Sequence, residues 1–84
     1  MSVQIFQDPD FKVYKAGGGF VVHNIKKSFD EGHTHVSKYD TCMVMIKLVE
    51  RKQMPRSRSK HFIESLIRIS NDRKYTSRIM ELLT

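Results

Sequence analysis

Four consecutive residues, Gly32-His33-Thr34-His35, are the stretch whose types most directly offer chemistry. On an extended segment, side chains at i and i+2 point the same way, so His33 and His35 would present two imidazoles together, the beginning of a metal site. Completing it needs a third ligand from His23, Asp30, Glu31, Asp40 or Cys42, and the chain contains neither a CxxC nor an HExxH to strengthen the pattern. The same imidazoles titrate near neutral pH and suit general acid–base work. The nucleophiles closest in sequence, Ser28, Thr34, Ser37 and Cys42, lie in no arrangement that activates one, and Cys42 falls on an apolar helix face where burial disfavours its thiolate. The expectation is a non-enzymatic protein with no cofactor, in which His33 and His35 hydrogen-bond to backbone groups. Metal ligation by that pair is the sharper alternative.

A second chemistry lies in the cations. The formal charge is +6 over 84 residues, and it is unevenly spread. In residues 1–36 four lysines (Lys12, Lys15, Lys26, Lys27) balance four acids (Asp8, Asp10, Asp30, Glu31), so the whole excess belongs to residues 37–84. Arg51, Lys52, Arg56, Arg58 and Lys60 occur with no acid among them. Arg56 and Arg58 flank Ser57, offering guanidinium forks and a hydroxyl together, a set suited to phosphate oxygens. Further on, Arg73, Lys74, Ser77 and Arg78 share the polar face of a short amphipathic segment. The methionines are expected to fill core gaps, and Met54, beside the basic loop, would if exposed anchor a protein interface with a basic rim.

These residues need a scaffold, and the patterning predicts an α+β one. Val3 to Phe6 reads as a short edge strand closed by Asp8-Pro9-Asp10. FKVYK (11–15) and FVVHNI (20–25) read as strands joined by Ala16-Gly17-Gly18-Gly19, a hairpin turn; a phosphate loop would lead into a helix instead. Residues 26–36 show no sustained period and read as a link to the helices, with Phe29 tucked into the core. Ser37 with Asp40 then resembles the N-cap of a central helix, Lys38 to Gln53. That helix carries a broad apolar arc (Tyr39, Cys42, Met43, Met45, Ile46, Val49) and a second one (Val44, Leu48), so it requires neighbours on two sides. Pro55 ends it. A second helix, about Lys60 to Ser70, is capped by Ser57 or Ser59. A third, about Arg73 to Leu83, follows the Asn71-Asp72 break, and the pair has the short connection of a helix-turn-helix, although without the glycine often found in the turn.

The architecture expected is a single domain, 1–84: an N-terminal hairpin or small meander packed on three C-terminal helices, with the central helix between the sheet and the other two. A lone cysteine allows no intramolecular disulfide and suits a reducing, cytoplasmic setting. MSVQIFQDPDF lacks the basic and apolar regions of a leader, and the longest apolar run, Cys42 to Ile46, is too short for a membrane span.

The strings GFVVHNIKKSFDEGHTH and SLIRISNDRKYTSRI resemble recurrent segments of short uncharacterised proteins encoded in Gram-positive bacteria and their mobile elements. The resemblance covers Gly19 to Leu83. It brings no established activity and implies only a context, a small accessory protein of a bacterium, prophage or plasmid. Two functions are weighed. The first is binding of nucleic acid or a nucleoprotein through Arg51, Lys52, Arg56, Arg58 and Lys60, helped by Arg73, Lys74 and Arg78. The second is a protein-interaction module, such as a mobile-element inhibitor of a host defence complex of the anti-CRISPR kind.

Overall fold

The computed structural model describes residues 3–84. Four strands, β1 (Val3–Gln7), β2 (Phe11–Ala16), β3 (Gly19–Asn24) and β4 (His33–Val36), form an antiparallel meander in the order β1-β2-β3-β4. Three helices follow, α1 (Tyr39–Arg51), α2 (Lys60–Ile69) and α3 (Arg73–Met80), the last ending in a 3₁₀ turn, Glu81–Leu83. The fold is thus α+β, with sheet first and helices after. No helix among the described residues is long and apolar enough to cross a membrane.

The turns form as their chemistry dictates. Asp8 Oδ1 accepts from the backbone N–H of Asp10 (2.8 Å) and Phe11 (2.7 Å), closing the β1–β2 connection. Gly17 and Gly18 alone separate the Ala16↔Gly19 pair, and Gly17 takes φ +59°, a conformation other residues adopt only with strain.

The fourth strand departs from the sequence expectation of a link. Residues Thr34 and Val36 face inward and are buried while His33 is partly exposed and His35 exposed, so the segment alternates after all. A polar inward residue hides that alternation. Thr34 keeps its place because its hydroxyl donates to Ser65 Oγ of α2 at 2.7 Å, satisfying both buried groups. Phe29 also departs from expectation. It is 47 % exposed, outside the core. Its ring lies parallel to that of His33, centroids 4.1 Å apart, above the sheet face opposite α1 and α2.

The core fills the other face. Phe11, Val13, Val22 and Val36 of the sheet meet Cys42, Met45, Ile46 and Val49 of α1 and Ile63, Leu66 and Ile69 of α2. Both α1 and α2 contact β3 and β4, so they lie side by side on the sheet, and α1 does not separate the sheet from the other helices as the patterning suggested. The third helix packs on α2 through Tyr75 and Ile79. At the start of α1, Lys38 and not Ser37 is the N-cap residue, and no side chain caps it. Ser59 Oγ accepts from Phe62 N at 3.5 Å to cap α2, and Asp72 Oδ1 from Tyr75 N at 2.8 Å to cap α3.

Contacts between the β3–β4 connection and α2 stitch the halves together. Asn24, buried, donates to Ile69 O at 2.8 Å. Lys27 Nζ donates to Arg68 O (3.1 Å) and Ser70 O (2.9 Å) at the C-terminus of α2, where a cation suits the free carbonyls. Arg68 answers by donating to His33 O (2.8 Å) and Asp30 O (2.7 Å).

Candidate functional site

The end of α1 is the first element that positions the cations. Lys52 terminates the helix in the left-handed conformation, φ 54° and ψ 41°, allowing Gln53 N to donate to Leu48 O at 2.9 Å. That reversal sends the chain toward α3. Tyr75 OH donates to Gln53 O at 2.8 Å, and Lys52 Nζ lies 3.2 Å from Asp72 Oδ2. Asp72 therefore caps α3 with one oxygen and pairs with α1 through the other. The Tyr75 N–H bond, followed by Lys52, holds its carboxyl below the usual carboxylate value. Burial pushes the Tyr75 hydroxyl up to about 12, keeping it a donor, against a smaller opposing effect of Arg78.

These two ties bring Arg51 and Lys52 to the same end of the molecule as Arg73 and Lys74, with Arg78 one turn further along α3. All five are exposed. Only three residues, Ser70-Asn71-Asp72, separate α2 from α3, within the length of a helix-turn-helix connection. Hydrogen bonds from Ser70 to Thr76 and from Lys27 to Ser70 fix that turn. The outward face of α3 offers Arg73, Lys74, Ser77 and Arg78.

The loop 53–59 treats its cations differently. Arg58 folds back over it, Nη1 donating to Pro55 O at 2.6 Å with longer contacts to Arg56 O and Ser57 O. Ser57 Oγ accepts from Ser59 N at 3.1 Å. So the group of Arg58 and Ser57, read from sequence as a phosphate cradle, shapes the loop. Arg56 and Lys60 remain exposed, and neither they nor Arg51, Arg73, Lys74 or Arg78 form an ion pair among the described residues.

His33 and His35 do come together, ring centroids 5.2 Å apart and edge to face. The Nδ1 of His33 is engaged with the carbonyl of Phe29, and His23 Nε2 with Lys27 O at 3.0 Å. Among the described residues, no group of three or more His, Cys, Asp or Glu is placed to hold a metal ion. Cys42 is buried with its Sγ toward Lys38 O, and burial raises its thiol to about 11. A cleft of about 620 Å³ opens between the Gly18-Gly19 corner, α1 and α2, and its polar lining consists of hydroxyls (Ser37, Thr41, Ser57, Ser59) and the imidazoles of His35 and His61. Ser57 and Ser59 are already used in the loop and the cap.

Sequence reasoning missed two things at this surface. Lys27 and Arg68 look like ordinary exposed cations but are spent on backbone carbonyls, which no residue pattern announces. The stack of Phe29 on His33 was likewise hidden, since the i, i+4 spacing that brings them together lies in a segment without helical or strand period. Among known proteins, no family model, no curated protein and no solved structure matches the chain.

Proposed function

We propose that the protein binds nucleic acid, alone or within a nucleoprotein, through the cationic end formed by α3 and the close of α1. Arg73, Lys74 and Arg78 contact phosphates from α3, with Ser77 between them, and Arg51 and Lys52 extend the track. Arg56 and Lys60 widen it, and Arg58 holds the loop that carries Arg56. The observation that carries this reading is the placement of exposed cations from two separate helices at one end, joined by the Lys52–Asp72 and Tyr75–Gln53 ties, with Lys52 alone of them ion-paired among the described residues. A small accessory protein of a bacterium or mobile element is a fitting setting for such binding.

Phosphate contacts release counterions, so the binding constant should fall as a power of the salt concentration. With five contacts the log–log slope on a duplex is about −4.5, a loss of several hundredfold between about 50 and 200 mM salt. Fluorescence anisotropy against a labelled mixed-sequence duplex and the corresponding single strand measures it. Absence of binding to either at low ionic strength overturns the proposal.

A further inference from the structure

The second apolar arc of α1 is only partly covered among the described residues. Val44 is 49 % exposed and Leu48 only half-buried, although they stand one turn apart on the same side. Across from them, Met54 of the loop and Phe62 of α2 supply a second wall, and the four enclose a groove of about 410 Å³ rimmed by Arg56, Ser57 and Gln53. The groove is held open in advance. Pro55 is buried and Arg58 clasps the loop backbone, so Met54 is set in place before anything binds.

We propose that this groove docks an amphipathic helix of a partner protein whose apolar stripe is bordered by carboxylates. The floor suits such a helix, since Val44 and Leu48 present two anchors at i, i+4 and a thioether opposite them adapts to the incoming side chains. Charge selects its sign. Lys47 and Arg51 border Val44 along α1 and Arg56 stands on the loop, against one carboxylate on that border, Asp40. None of these cations forms an ion pair among the described residues. A second copy of the chain would bring like-charged rims together, and a nucleic acid would use the rim while leaving the apolar floor wet. An acidic amphipathic helix satisfies both.

The test uses a fluorescein-labelled synthetic peptide with Leu at i, i+4 and i+7 and Glu at the flanking positions, beside the same peptide with Lys for Glu. The Glu peptide should bind, more weakly as salt rises, and shift the methyl resonances of Val44, Leu48 and Met54; the Lys peptide should bind at least tenfold more weakly. Val44→Gln, at an exposed position and without change of charge, should weaken the Glu peptide about fivefold to tenfold and leave duplex binding unchanged. Lys47→Glu/Arg51→Glu should reverse the preference between the peptides. Equal binding of the two peptides, or indifference to Val44→Gln, overturns the proposal. So does a concentration-dependent dimer abolished by Val44→Gln, which assigns the groove to a second copy, or a loss of duplex binding in Val44→Gln, which assigns it to nucleic acid. Arg73→Ala/Lys74→Ala/Arg78→Ala should leave peptide binding intact, so the failure of either functional reading is separable from the other.

Discussion

Removing cations that are free should act on nucleic-acid affinity, whereas removing cations that are engaged should act on stability, and the two groups can be compared directly. Arg73, Lys74 and Arg78 are exposed on α3 and unpaired among the described residues, so the triple alanine variant removes three phosphate contacts at once. At about 0.9 per contact the slope of log K against log salt becomes shallower by about 2.7. Over a fourfold change in salt, from about 50 to 200 mM, that difference is about 40-fold in how much affinity is lost. Stability should move by no more than about 0.5 kcal/mol per site, because exposed side chains without partners contribute little and a cation at position Arg73 faces the positive end of its own helix. Arg68→Ala is the counterpart. It also removes one positive charge, but that guanidinium donates to His33 O and Asp30 O and stands outside the proposed track. Its loss should leave the salt slope unchanged and cost about 1–2 kcal/mol, lowering Tm by about 4–8 °C for each kcal/mol. Salt-titrated anisotropy and thermal denaturation followed by circular dichroism supply the two readouts. Slopes that shallow equally per charge removed, whichever arginine is lost, would refute the reasoning and reduce the binding to the attraction of net charge.

Thr34→Val and Ser65→Ala should each cost about 1–3 kcal/mol, since each strands a buried hydroxyl, while the double variant should cost less than their sum; additive urea-denaturation energies would count against the pairing. Glu50, although exposed, is raised to about 7 by loss of solvation and then by Asp8 and Asp10, against a smaller opposing effect of Arg51. The folded protein consequently binds more protons than the unfolded chain between the ordinary carboxyl value and about 7, and stability falls as pH rises through that window. Glu50→Gln should gain about 1 kcal/mol at pH 8, after allowance for solvent screening, and nothing at about pH 4; equal stability of the two proteins at pH 8 would contradict it. Cys42 should resist iodoacetamide in the native state. Its thiolate at about pH 8 is some 100-fold rarer than in the unfolded chain, before burial slows access further, and native labelling at the unfolded rate would show the helix face open.

Much of the scaffold was legible because local chemistry decided it. Asp8-Pro9-Asp10 and Gly17-Gly18 are turns whose residues admit few alternatives, and Asp72 caps α3 wherever the rest of the fold lies. What escaped was decided at a distance. Thr34 points inward because Ser65, 31 residues away, offers it a hydroxyl. Ser37 has the right chemistry for a cap, yet the chain enters α1 one residue later. The unpaired arc of α1 was visible as Val44 and Leu48, but only the positions of Met54 and Phe62 show it to be one wall of an open groove. For the candidate site, sequence supplied the cations and could not sort them: Arg58 and Arg73 look alike in composition, and only the carbonyls around Arg58 separate a loop clasp from a free charge.

The stitches between the β3–β4 connection and the end of α2 also have a consequence for synthesis. Asn24 meets Ile69 across 45 residues, Lys27 meets Ser70 across 43, and Arg68 returns to His33 across 35. The second helix must therefore emerge before the inner layer that α1 begins on the sheet is complete, and until then the meander's apolar side is only partly covered. Folding waits on closure of long segments, and neither half should persist as a separable unit if the gene were cut between them.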